Sequence, residues 1–388
     1  MSEDSQGKKS IFRAALDMIR TNKSNRDNGI FNSIPFGLPS LDKHVPGIMR
    51  GMQYLITAAS GIGKTQLTKF LFVNQPYKFI KDNPNLGIKL RILYFALEES
   101  KEEFMLTLIS NRLKEKYGRN IGVMQLRGMG NHTVNDEVVR EIEQCEDYFA
   151  ELEDSIEIID SVSNPTGIYK YVRAYATNNG THVYRDHTFT HTDPDGTVRT
   201  EVGQVYSHYT PNDPNEFVVI ITDHLSLLST EGTGDAATLH GSMTKFSAEY
   251  CRKQISKHYN YCVVNVQQTV ADKEKQQYTN SGQSIESKLE PSLDALGDCK
   301  LTQRDAMIVL ALFAPDRYRI EKHMDYDIKV LQDYYRCLFI LKNRIGTPNL
   351  RLPLLFNGQT NSFAELPKPK TLELEHLYDN IKQIRRMM

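Results

Sequence analysis

The sequence lacks the features that mark a secreted, metal-rich or membrane-spanning protein. Its five cysteines form no CxxC pair, and three lie beside or inside apolar runs, which is typical of reduced thiols and not of a zinc site or a disulfide framework. No apolar run approaches the roughly 20 residues of a spanning helix, and the polar start MSEDSQGKKS has no signal core. Because the formal net charge is −1, any polyanion must be held by a local basic feature. We therefore expect a soluble, cytoplasmic protein without a membrane partner.

What the sequence does contain predicts an α/β fold. Hydrophobic residues make up 40% of the 388 residues, which is enough for a substantial core. From Gly51 onward, apolar runs of strand length alternate with helical patterns, which predicts a mostly parallel sheet covered by helices. The predicted strands are 53–59, 91–97, 156–160, 217–223, 261–268, 306–313, 337–344 and 350–356. The predicted helices are 64–74, 101–116, 135–153, 166–177 and 239–259.

Three segments depart from this alternation. Apolar residues at helical spacing predict a short amphipathic helix at 10–21, followed by a polar linker. Residues 178–216 alternate like strands around the turn DPDG, which predicts an inserted β-hairpin. Residues 269–304 form a long polar loop of a kind that is usually functional or disordered. The expected division is a tail, helix and linker at 1–30, a main domain at 31–366 and a tail with a short helix at 367–388.

The segment AASGIGKT predicts a loop that grips phosphate. It lies between a predicted strand and a predicted helix, and its glycines let backbone N–H groups converge on phosphate oxygens. Lys64 would reach the β and γ phosphates, and the Thr65 hydroxyl would ligate Mg²⁺. Ala58 stands where the general motif has glycine, so a chance glycine-rich turn is the alternative. The expected nucleotide-binding residues are Ala59, Ser60, Gly61, Ile62, Gly63, Lys64, Thr65 and Gln66.

Other predicted strands also end in polar residues. Glu98 follows one strand, where a carboxylate could activate water, although an acidic residue there could simply favour the start of the next helix. Asp223 ends another and is a candidate Mg²⁺ ligand, although aspartate also begins turns. Gln268 could sense the γ-phosphate. Lys342 and Arg344 could stabilise transferring phosphate charge, although such cations are usually solvated.

The ordered set of motifs resembles the DnaB-like replicative helicases, including the helicase half of phage primase-helicases, from about Phe36 to Leu366. The matching segments in order are FGLPSLD, AASGIGKT, LEES, IITDHLSLL, VNVQQ, PSLDALGD, KNR and FNGQTNSF. Alanine is usual at the first phosphate-loop position in that family, so Ala58 supports the match. The resemblance implies a RecA-like P-loop core that binds ATP and Mg²⁺, forms a hexameric ring and unwinds DNA while moving on single-stranded DNA. It also implies 5′ to 3′ movement, a primase, loader or polymerase as partner, and the host cytoplasm if a phage encodes the chain.

The resemblance implies a role for each strand-end residue. Glu98 corresponds to the catalytic base, and Asp223 to the acid associated with Mg²⁺. Gln268 corresponds to the amide that links the γ-phosphate to DNA contacts. Arg344 corresponds to an arginine finger, with Lys342 as its companion, and both act on ATP bound by the neighbouring subunit. The helix at 10–21 stands where the family has a linker helix that docks on the next subunit.

Some residues keep two interpretations. Primase activity is not expected, because only about thirty residues precede the match and zinc-ligand cysteines are missing. Cations of the long loop could contact DNA or form a solvated face; they are Lys273, Lys275, Lys288, Lys300 and Arg304. Histidines of the hairpin could face a metal or be exposed strand residues; they are His182, His187, His191 and His208. We expect this hairpin to dock a partner. The functional alternatives are a recombination ATPase that forms filaments on DNA and a scaffold that binds ATP without hydrolysing it.

Overall fold

The fold is built on one large β-sheet. The computed structural model describes residues 11–27, 32–131, 133–232, 234–269, 289–296 and 299–387. The strands are β1 Gln53–Ala58, β2 Lys89–Ala96, β3 Ile156–Ile159, β4 Gly180–Thr192, β5 Val198–Pro211, β6 Glu216–Asp223, β7 Cys262–Gln268, β8 Ile308–Phe313, β9 Lys322–His323, β10 Tyr326–Asp327, β11 Tyr335–Asn343, β12 Leu350–Asn357 and β13 Ser362–Glu365. All eight predicted strands are confirmed, whereas the short strands β9, β10 and β13 were not predicted.

Nine of these strands form the central sheet in the order β13-β12-β11-β8-β1-β7-β6-β2-β3. The six strands from β8 to β3 run parallel, which confirms the predicted mostly parallel sheet. Strands β11, β12 and β13 extend it by antiparallel pairing. We call the end at which the parallel strands finish the carboxyl edge, and the opposite end the amino edge. In sheets of this kind ligands bind beyond the carboxyl edge.

Helices cover both faces of the sheet. They are α1 Ile11–Asp27, α2 Pro39–Asp42, α3 Lys64–Lys69, α4 Gln75–Asp82, α5 Lys101–Tyr117, α6 Val123–Leu126, α7 Asp136–Glu143, α8 Glu146–Ser155, α9 Pro165–Asn178, α10 Leu239–Lys245, α11 Leu301–Asp305, α12 Ile328–Leu331 and α13 Leu372–Met387. Two π-helical segments, Phe70–Asn74 and Phe246–Ser256, continue α3 and α10. No helix in the described ranges has both the length and the apolar character needed to cross a bilayer.

Three helix boundaries differ from the prediction. The helix predicted at 135–153 is two helices, because Cys145 leaves the helical conformation with φ −103° and ψ 3° and buries its side chain. The helix predicted to end at 74 continues into α4, where Pro76 occupies the first turn and proline is tolerated. Helix α1 continues to Asp27, through residues that were predicted to be a linker. The predicted loop 269–304 lies partly outside the described residues, and its last residues begin α11.

The sheet is buried on both faces, which explains why its strands are almost continuously apolar. All six residues of β1 are buried. One face packs into a core that contains Tyr54 and Phe72, and the other into a core that contains Phe246 and Val263. Only side chains at the strand ends are therefore available for polar chemistry.

The predicted hairpin is present as an antiparallel pair of β4 and β5 outside the central sheet. It is inserted between α9 and β6, so it leaves the molecule at the amino edge. Its base is fixed by Tyr209, whose hydroxyl donates to the Ala176 carbonyl at 3.0 Å, and by Tyr206, whose ring stacks on His258 at 4.8 Å. Beyond this base most residues are exposed.

Candidate functional site

The predicted phosphate loop joins β1 to α3 at the carboxyl edge. Gly61 and Gly63 have φ of +72° and +110°, a region that glycine adopts without strain. Gly63 is the N-cap of α3, so the free N–H groups of the first helical turn open into the same space. Lys64 is 7% exposed, and the side chains of Ala59 and Ile62 are buried in the core, so these two can offer only backbone groups.

A cleft of about 490 Å³ lies over this loop. Its lining from the loop and the start of the helix consists of Gly61, Gly63, Lys64, Thr65 and Gln66. The rest comes from distant parts of the chain: Glu98, Glu99, Glu103, Phe356 and Gly358. The structure therefore brings the predicted loop and Glu98 together. Phe356 and Gly358 were not predicted as site residues, although the segment FNGQTNSF that contains them was among the matched motifs.

Asp223 ends β6 and is 2% exposed. Strand pairing places it opposite Ala96 of β2, two residues before Glu98. Burial raises the pKa of its carboxyl group, and hydrogen bonds from Tyr94 and Thr65 oppose this effect. The Tyr94 hydroxyl donates to Oδ2 at 2.7 Å, whereas Oδ1 is buried and has no hydrogen bond of normal geometry to any described residue. A buried oxygen beside Thr65 that lacks a donor fits the predicted cation.

Two neighbouring carboxylates face the cleft in different surroundings. The side chain of Glu98 is 54% exposed, and its Oε2 lies 3.6 Å from Nε2 of His224. Glu99 is bound to Lys69, whose Nζ lies 2.8 Å from the carboxylate and 4.2 Å from the Phe104 ring centre. Burial is the largest influence on both partners, since it raises the pKa of Glu99 and lowers the pKa of Lys69, while their attraction opposes it. Glu98 is thus the accessible carboxylate and Glu99 the fixed one. Glu98 also precedes α5, whose N-cap is Ser100.

Gln268 ends β7, and its Cα pairs with that of Ala58 at the start of the phosphate loop. The next residue, Thr269, donates its N–H to the Ala58 carbonyl at 3.1 Å. Gln268 is therefore at the carboxyl edge with the loop, Asp223 and Glu98. The long loop that follows it begins one strand away from the cleft.

Lys342 and Arg344 lie at the opposite edge of the sheet. Strand β11 is antiparallel to β8, so Cys337 pairs with Phe313 at the carboxyl edge and Asn343 pairs with Ile308 at the amino edge. The five residue steps from Ile308 to Phe313 span about 16 Å. The structure thus does not bring Lys342 or Arg344 to the cleft of their own chain.

Both cations are held beside the end of α11. Lys342 Nζ donates to the carbonyls of Gln303 and Arg304 at 2.6 and 3.1 Å, and Arg344 donates to that of Arg304 at 3.1 Å. Burial and the neighbouring Arg344 lower the pKa of Lys342 to about 8. This side chain is consequently close to losing its charge under mildly alkaline conditions.

The other candidate residues are spread along the chain. His182 packs on the rings of Tyr209 and Tyr259, both at 5.6 Å, and His187 packs on Phe189 at 4.9 Å. Within the parts of the chain that the structure covers, no three or more His, Cys, Asp or Glu side chains are grouped to hold a metal ion. Among the loop cations, Lys300 and Arg304 are exposed, whereas Lys273, Lys275 and Lys288 lie outside the described residues.

Comparison with known proteins gives similarity at the level of the fold. No protein-family model matches the chain, and no curated protein matches its sequence. Among solved structures, a helicase ATPase domain matches with a TM-score of 0.65 and 18% sequence identity, covering 93% of this chain and 100% of that one. A DnaB-like replicative helicase, described with its interactions with primase, matches with a TM-score of 0.63 and 19% identity, covering 92% of this chain and 69% of that one. The chain therefore has the RecA-like fold of a DnaB-like helicase ATPase domain.

Proposed function

We propose that the protein is an ATP-dependent DNA helicase that moves on single-stranded DNA as a hexameric ring. The observation that carries this proposal is the convergence at the carboxyl edge. The phosphate loop, Glu98, Asp223 and Gln268 follow four different strands, β1, β2, β6 and β7, and meet around one cleft. The fold shared with DnaB-like helicases supports the same conclusion.

The phosphate groups of ATP would bind to the backbone N–H groups of the loop and to Lys64. Thr65 and Asp223 would hold Mg²⁺, because the Thr65 hydroxyl lies beside a buried carboxylate whose Oδ1 lacks a donor among the described residues. When bound, Mg²⁺ neutralises charge that develops on the phosphate oxygens. The loop supplies fixed N–H dipoles to the same oxygens, so most of this stabilisation is built into the backbone.

Glu98 would orient the attacking water and accept its proton. The carboxylate reaches the cleft and remains 54% exposed, so water has access to it. Glu99 is less suited to this role, because Lys69 holds its carboxylate at 2.8 Å in a largely buried pair. The local geometry thus favours Glu98 over its neighbour as the general base.

Lys342 and Arg344 would complete the site of another subunit. They lie at the amino edge, about 16 Å along the sheet from the edge that carries the cleft of the same chain. A cation that stabilises the transferring phosphoryl group must approach it closely, which these side chains do not do within one chain. A ring in which the amino edge of each subunit faces the carboxyl edge of the next one satisfies both requirements.

Helix α1 offers a second contact between subunits. Its apolar residues Ile11, Phe12, Met18 and Ile19 are between 60% and 90% exposed. An amphipathic helix with this exposure gains free energy by docking in an apolar groove. We propose the neighbouring subunit as its site, and single-stranded DNA and a primase, loader or polymerase as the other partners.

Fork unwinding, measured together with ATP turnover, tests the proposal. The wild-type protein should hydrolyse ATP faster when single-stranded DNA is present and should separate a forked duplex. Glu98→Gln should lower turnover by at least about 100-fold, because general-base catalysis contributes factors of this size. The matched control is Glu102→Gln, in which an exposed carboxylate in the first turn of the following helix is neutralised.

Each outcome separates the alternatives. Turnover that Glu98→Gln leaves unchanged would refute the assignment of the base. DNA-stimulated turnover with open filaments instead of closed six-membered particles in electron micrographs would favour the recombination ATPase. ATP binding without any turnover would favour the scaffold.

A further inference from the structure

Two arginines contact the phosphate loop on its carbonyl side, where no site was predicted from the sequence. Arg336 donates from Nε to the Ile62 carbonyl at 2.9 Å, and Arg317 donates to the Ser60 carbonyl. Both arginines come from the region between β8 and the start of β11, and the two contacts join residues 274 and 257 positions apart in the chain. Arg336 is 6% exposed, whereas Arg317 is exposed.

These contacts fix the direction of peptide groups. In a trans peptide, the carbonyl of one residue and the N–H of the next residue point in opposite directions. A donor that holds the Ile62 carbonyl on one side therefore turns the Gly63 N–H to the other side, towards the cleft. The left-handed φ of Gly63 shows that this peptide is part of a backbone that other residues adopt only with strain.

Arg336 is itself held rigidly. Its Nη1 donates to the carbonyls of Asp333 and Tyr335 at 3.0 and 2.8 Å, and lies 3.8 Å from the Asp316 carboxylate. The guanidinium carbon lies 4.8 Å from the centre of the Phe356 ring, which itself lines the cleft. A planar guanidinium with several fixed acceptors transmits its orientation to the loop better than a single flexible donor does.

We infer that Arg336 is a positioning residue of the nucleotide site, which holds the Ile62 carbonyl so that the Gly63 N–H is directed at a phosphate group before the nucleotide arrives. This inference rests on the proposed function, because it concerns the phosphate loop of the same site. The guanidinium acts on the nucleotide through the loop backbone and makes no direct contact with the phosphates.

Nucleotide affinity of the full chain tests this inference. Arg336→Met should weaken ADP binding about tenfold, as expected for the loss of one hydrogen bond from a charged donor. KM for ATP should rise by a similar factor with little change in kcat, because the loop contacts the phosphates both in the ground state and in the transition state. Arg336→Lys keeps the charge but loses the fork of donors, so it should recover part of the affinity.

The matched control is Arg50→Met. Arg50 also lies over an aromatic ring, that of Phe217 at 3.8 Å, and donates to the carbonyls of Pro214 and Glu216, but it lies at the amino edge. Arg50→Met should lower the melting temperature in the same way as Arg336→Met and leave ADP binding unchanged.

The outcomes distinguish this inference from the proposed function. A wild-type protein that binds no ADP would refute the nucleotide site and the inference together. ADP binding by Arg336→Met that equals wild type, or that falls only as much as in Arg50→Met, would overturn the inference alone. If Arg336→Met does not fold, the same comparison is made with Arg336→Lys, and wild-type affinity in that variant would also overturn it.

Discussion

Replacing Lys69 by methionine should destabilise the protein more than replacing Lys69 and Glu99 together. The pair is largely removed from water, with side chains that are 2% and 19% exposed, and the charges lie 2.8 Å apart. Methionine has a similar length and can fill the space beside the Phe104 ring. The single change therefore mainly removes a charge and leaves the Glu99 carboxylate without its partner.

The expected magnitude follows from this burial. Breaking a buried ion pair by removing one partner costs about 3–5 kcal/mol, and the partial exposure of Glu99 favours the lower end, about 3 kcal/mol. Replacing both partners by neutral groups is often close to neutral, so Lys69→Met with Glu99→Gln should lie within about 1 kcal/mol of wild type. The interaction energy in the double-mutant cycle is then about 2 kcal/mol or more.

Urea unfolding of the four proteins measures the cycle, and ADP titration of the same samples measures its effect on the site. Because Glu99 lines the cleft, an unpaired carboxylate should also repel the phosphates and weaken ADP binding in Lys69→Met, and Glu99→Gln should restore it. The matched control is Lys253→Met, which breaks the exposed pair with Glu249 at 2.6 Å and should change stability little. Additive free energies in the cycle, or equal effects of Lys69→Met and Lys253→Met, would refute the reasoning.

Two further predictions concern the cations at the amino edge. Lys64→Ala and Arg344→Ala should each abolish turnover, and mixing the two proteins should restore part of it, since some boundaries then combine an intact loop with an intact Arg344; Arg140→Ala, on the exposed face of α7, is the control. No recovery in particles shown to contain both chains would contradict action between subunits. Because burial and Arg344 lower the pKa of Lys342 to about 8, its charge is present below that pH and is lost above it, so turnover should fall as the pH rises through about 8. Lys342→Arg should keep its activity to higher pH, and an identical decline in both proteins would exclude Lys342 as the group responsible.

Residues at strand ends were the most predictable part of the site. Buried parallel strands are apolar along their length, so a polar residue directly after each one is conspicuous in the sequence. The carboxyl ends of such strands meet at one edge, which is why Glu98, Asp223 and Gln268 could be grouped with the phosphate loop before their positions were known.

Contacts between distant segments could not be predicted in this way. Nothing in the local sequence around Arg336 indicates that its guanidinium reaches Ile62, because that contact depends on how β11 is placed in the sheet. Lys69 follows the helical period of its neighbours, and only the packing around Glu99 explains why a lysine is buried there. The direction of β11 was equally hidden, since the apolar composition of a buried strand is the same whichever way it runs.

The separation of the cleft from Lys342 and Arg344 has a consequence for how the protein behaves on dilution. If each site needs residues from two chains, the activity per mole of protein depends on its concentration and vanishes as the assembly dissociates. A cell could then regulate such an enzyme through the amount of chain present, without any change in the chemistry of a single site. Nucleotide would favour assembly for the same reason, because it is bound most completely where two chains meet.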